Sequence, residues 1–162
     1  MKIAIHSLLA AVLLPLALAP AYAADTTPST PATAAAPDKL APVRAQIAQK
    51  NWPAAIAALM KVNDTGSADW NNLMGYSLRK AATPDYAGAE KFYNEALRID
   101  PKHKGALEYS GELYLMLGDL PKAEQRLATL DKLCTLGCGE YSDLKKAIAS
   151  FKAAGNKYVG TY

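Results

Sequence analysis

Tyr86-Ala-Gly-Ala89-Glu-Lys-Phe-Tyr93-Asn-Glu-Ala96-Leu-Arg-Ile-Asp-Pro101 is the stretch on which the reading of this chain turns. Ala89, Tyr93 and Ala96 are spaced three to four positions apart, which puts them on one face of a helix. The same pattern stands one period earlier at Ala55, Leu59 and Val62, and one period later at Ala123, Leu127 and Leu130. A turn-like pair precedes each copy: Asn51-Trp52, Asp85-Tyr86 and Asp119-Leu120. A period of about 34 residues accommodates two short helices and two turns. One such unit cannot bury its apolar stripe alone, so it stacks on its neighbours. The pattern describes a scaffold with a surface rather than an enzyme with a pocket.

A second helix precedes each of these. Before the quoted stretch it reads Trp70-Asn-Asn-Leu-Met-Gly75-Tyr-Ser-Leu78, and in the next unit it carries Gly111, Tyr114 and Gly118-Asp119. The first unit is weaker here (Val43, Ile47) and clearer on its second helix (Trp52, Ala55, Leu59, Val62). From Ala36 to Thr135 the chain resembles the tetratricopeptide repeat family, whose pattern is a glycine on helix A and Ala-x-x-x-aromatic, Ala and Pro on helix B. The resemblance implies an all-α fold: a short right-handed α-solenoid of about three helix pairs plus a C-terminal capping helix. It also implies a protein or peptide partner and no catalysis, because the motifs specify a fold and not a ligand.

In the resembling family helix A of each repeat lines the concave face. Carried over, that face draws on Asn72, Tyr76, Arg79 and Lys80, then on Glu108, Tyr109, Glu112, Leu115 and Met116. Tyrosine and arginine are enriched among energetic hot spots. These residues either meet a partner or pack against the next helix A. The family's basic clamp for C-terminal carboxylates is not reproduced, since its places hold Leu40, Leu73, Gly105 and Tyr109.

The small residues have a packing reason. Gly75, Gly111, Ala55, Ala89 and Ala123 are expected where helices cross closely. Pro84 and Pro121 suit first helical positions, with Thr83 as a cap for the former. Pro101 stops a helix, and Gly118 suits a left-handed residue past a helix end. The interval from Gly75 to Ala89 is longer by two positions than that from Gly111 to Ala123, which predicts a longer loop over 79–83. With Gly75 as reference, Trp70 falls one place off the family's tryptophan.

Composition and termini fill in the rest. Lys2 and an apolar run from Ile3 to Leu18 precede Ala21-Tyr22-Ala23, the pattern of a secretory signal cleaved after Ala23. The expected mature chain starts at Ala24 in the periplasm of a Gram-negative bacterium, with an uncleaved anchor as the alternative. Residues 24–38 are rich in Ala, Pro and Thr and read as a disordered linker. A domain over 39–154 follows, with repeats at about 36–67, 68–103 and 104–137 and a cap helix over 140–154. A flexible tail over 155–162 ends the chain. The net charge of +3 is interspersed, giving no case for nucleic acid, and no segment after the signal is apolar enough to insert in a membrane.

Cys134 and Cys138 are the unusual chemistry. In an oxidising compartment they form a disulfide, which Gly137 and Gly139 permit by breaking a regular helix. Alternatives are free thiols, a redox-active pair, or a copper(I) site with Met116 or His103 as third ligand. The C-x-x-C spacing of the thioredoxin-like motif is absent. No other cofactor is implied. His103 reads as a solvated loop residue, and Glu90, Glu95, Glu108, Glu112 and Glu124 as mostly solvated charge. The leading function is thus an exported adaptor, and the alternative a thiol-based redox or copper-handling protein.

Overall fold

A computed structural model describes residues 37–160; the expected signal and all but the last two residues of the linker lie outside them. Among the described residues there are seven α-helices and no strand. They are α1 (Ala41–Ala48), α2 (Trp52–Val62), α3 (Ala68–Lys80), α4 (Tyr86–Ile99), α5 (Lys104–Met116), α6 (Leu120–Leu133) and α7 (Gly139–Ala153). They form three antiparallel pairs and a last single helix. The A helices α3, α5 and α7 contact one another in turn, whereas the B helices α4 and α6 meet through long side chains, Arg126 with Asn94 and Lys122 with Glu90. The A helices form one face of the stack, the inner face.

Local chemistry sets each boundary. The turn-like residues are the B-helix N-caps: the side chains of Asn51, Asp85 and Asp119 accept from the backbone N–H of Ala54, Gly88 and Lys122. The expectation that Thr83 caps and Pro84 opens α4 therefore does not hold: Asp85 is the cap and the helix starts at Tyr86. Pro121 does lie in the first turn of α6. Gly118, at φ +78°, closes α5 in the left-handed region, and the Gly118 and Asp119 N–H groups return to the Leu115 and Tyr114 carbonyls.

The core is strung along the stack as clusters where helix pairs meet. Leu40, Val43, Leu59, Trp70 and Met74 form the first. Ala89, Tyr93 and Leu113 form the middle one. Leu107, Tyr114, Leu115, Ala123, Leu130, Leu144, Ile148 and Phe151 form the last, where α7 seals the array. Trp70 is buried despite its offset, because its indole N–H donates to the Leu59 carbonyl at 2.8 Å and fixes α3 on α2. A Cβ on Gly75 would meet the Tyr93 ring at 2.8 Å and the Ala89 carbonyl at 3.1 Å, so this glycine lets α3 and α4 approach. On Gly111 it would first meet Leu144 of α7. That small residue serves the junction with the cap.

Candidate functional site

On the inner face, the last turns of α3 meet the middle of α5. Tyr76 and Tyr109 have ring centroids 4.6 Å apart. The Arg79 guanidinium lies 5.5 Å and 5.6 Å from those two centroids. Its Nη1 pairs with Glu112 Oε2 at 2.7 Å and also donates towards Met116 Sδ at 3.8 Å. The fully buried Tyr93 hydroxyl lies beside the same guanidinium without a well-aligned hydrogen bond to it. Tyr76, Arg79, Tyr109, Glu112 and Met116 thus form one network. Trp52, which the repeat pattern marked only as a packing residue, extends it by setting its ring edge-on to Tyr76 at 5.8 Å.

The strip differs from the expected row of presented side chains. Arg79 is only 3% exposed and Leu115 only 1%. Asn72 is buried as well, and Leu115 belongs to the last core cluster. These three can act on a partner only through their neighbours. An ion pair at this depth is held by desolvated charge, so losing either member strands the other. Tyr76, Tyr109, Glu112, Lys80 and Met116 stay partly exposed and remain candidates for direct contact.

Glu108 overturns the expectation of a solvated carboxylate. It is 9% exposed, and burial pushes its carboxyl up to about 8, helped by the nearby Glu112, Asp143 and Glu140. It borders a cavity of about 280 Å³ shared with Glu112, Asp143, Lys146, Ser150 and Tyr158. A neighbouring cavity of about 340 Å³ is lined by Arg79, Lys80, Pro84, Tyr86, Met116 and Tyr158. Burial, aided by the Arg79 charge, holds the Lys80 amine below its usual range. Burial likewise raises Tyr76 and pushes the Tyr109 phenol up to about 12, so both phenols stay neutral hydrogen-bonding groups at physiological pH.

Cys134 and Cys138 are bonded to each other, with Cα atoms 5.5 Å apart. The bond joins the end of α6 to the start of α7. Among the described residues no group of three or more His, Cys, Asp or Glu could hold a metal. Neither candidate third ligand for copper is a free donor in the structure. Met116 Sδ faces Arg79. His103 Nδ1 accepts from the Ala106 N–H at 3.0 Å, and its Nε2 meets Asp69 at 3.0 Å. His103 is therefore the N-cap of α5 and a tie to the preceding A helix, not a solvated loop residue. Histidine is outside the usual capping set, so the sequence carried no signal for it.

A family model described as a tetratricopeptide repeat matches residues 82–133, from the loop before α4 to the end of α6. No curated protein matches the chain. That match, on helices that recur in pairs with small residues at their crossings, identifies the segment from α4 to α6 as a tetratricopeptide repeat.

Proposed function

We propose that this protein is an exported adaptor that binds a protein or peptide through the inner face of α3 and α5. Tetratricopeptide repeats are generally protein-interaction scaffolds, not catalysts. The observation that carries the reading is the Tyr76–Arg79–Tyr109–Glu112 network. Two amphipathic rings are locked by a buried cation, and so present area at low entropic cost. Export rests on the apolar run and Ala21-Tyr22-Ala23.

The test is cross-linking capture of a partner from the native source, followed by binding of Tyr76→Ala and Tyr109→Ala, with circular dichroism to check the fold. Truncating a hot spot costs about 2 kcal/mol, roughly a 30-fold loss of affinity. Lys91→Ala and Lys122→Ala, on the outer B helices, should bind like the parent. If those two weaken binding and the tyrosines do not, the interface is on the other side. Intact mass of the native protein should show loss of residues 1–23; a full-length chain in the membrane would contradict cleavage after Ala23 and leave the uncleaved anchor.

A further inference from the structure

Just past α7 the chain turns back sharply. Gly155 (φ +69°) and Asn156 (φ +61°) are both left-handed, and their N–H groups return to the carbonyls of Lys152 and Phe151. This is the hydrogen-bond pattern of a helix stop that reverses the chain. Tyr158 then lies half-buried against the last core cluster. It borders both cavities of the inner face: that of Glu108, Glu112 and Asp143 on α5 and α7, and that of Arg79 and Lys80 on α3. Val159 also borders the first cavity. Within the expected tail over 155–162, the described residues Tyr158 and Val159 thus border the face on which a partner is proposed to dock.

We propose that Tyr158-Val159 is a ligand held in cis on the inner face, and that the partner competes for that place with a segment of the same chemistry: an aromatic residue followed by an aliphatic one. This deepens the adaptor reading and rests on it. Tyr158 and Val159 both border the first cavity, whereas Lys157 is exposed and borders neither cavity. The aromatic follows from what Tyr158 already occupies. A site filled in cis binds in trans with its affinity reduced by the fraction of time it stands open.

The probe is a dye-labelled peptide of residues 154–160, blocked at both ends, measured by fluorescence anisotropy against full-length protein. Tyr158→Ala should bind it at least tenfold more tightly than the parent, and the same peptide with alanine for tyrosine should not bind. Should Tyr158→Ala fail to fold by circular dichroism, Gly155→Val tests the same point. It strains the left-handed turn while keeping Tyr158, and should likewise open the site. Equal binding by parent and folded variants, or no binding by any, overturns the proposal. That failure is distinct from failure of the adaptor reading: a captured partner still lost by Tyr109→Ala would leave the inner face as the interface and remove only its cis ligand.

Discussion

Gly75→Ala adds one methyl group at the tightest point between α3 and α4. Two opposed terms decide its effect. In a helix interior, replacing glycine with alanine is worth about 1 kcal/mol in favour of the variant. Against this, the new Cβ would sit 2.8 Å and 2.9 Å from two carbons of the Tyr93 ring and 3.1 Å from the Ala89 carbonyl oxygen. Tyr93 and Ala89 have no exposed surface, so the ring has nowhere to swing and the carbonyl moves only with its helix. Overpacking of this kind costs about 1–3 kcal/mol, and rigid neighbours place it in the upper half of that range. The net is a loss of about 1–2 kcal/mol, a melting-temperature fall of about 4–8 °C for a domain of this size. Gly66→Ala is the control: a Cβ there meets nothing within 4 Å, so the variant should melt with the parent or slightly above it. Thermal melts followed by circular dichroism check both. If Gly75→Ala melts at or above the parent, the close crossing is not what this glycine is for.

Three further outcomes follow from named contacts. Between about pH 4.5 and 8 the folded chain keeps a proton on Glu108 that the unfolded chain has released. Its contribution is therefore full below that window, falls as pH rises through it and is gone above about 8; after solvent screening it amounts to about 1–2 kcal/mol. Urea midpoints at pH 5 and pH 8 should diverge for the parent and converge for Glu108→Gln. Asp85→Ala removes the acceptor for the Gly88 N–H and should cost about 1 kcal/mol in urea unfolding with the secondary structure intact. Cys134→Ser opens a loop closed by a bond between residues four apart and should lower stability by about 2 kcal/mol; thiol labelling of the unreduced native protein should find no free sulfur, and labelling of both would overturn the bond.

The repeat was legible because it rests on residues whose size alone matters. Ala55, Ala89 and Ala123 are fully buried where the period put them, and a small residue at a crossing needs no knowledge of its partner's identity. Charged and polar residues behave differently. Arg79 is buried because Glu112, Tyr76 and Tyr109 converge on it from two helices. Periodicity assigns an arginine to solvent and cannot see a counter-ion on the next helix A. Glu108 sinks for a related reason: α7 packs over it, and nothing local announces that lid. The capping role of His103 depends on Asp69 in the previous unit. Tyr158 follows two glycine-like turn positions at the edge of a polar stretch, where composition suggests only looseness.

The recurrence of a capping side chain at Asn51, Asp85 and Asp119 means that the array resets its phase once per unit. The two surplus residues between Gly75 and Ala89 are absorbed before Asp85, and from Ala89 onward the spacing to Ala123 is again one full period. The loop over 81–85 works as an expansion joint: length can be gained or lost there without shifting anything downstream. Its residues Ala81, Ala82 and Pro84 also wall the cavity beside Arg79 and Lys80. A lineage, or a designer, could thus reshape one end of the inner face by changing loop length alone, leaving the stack in register.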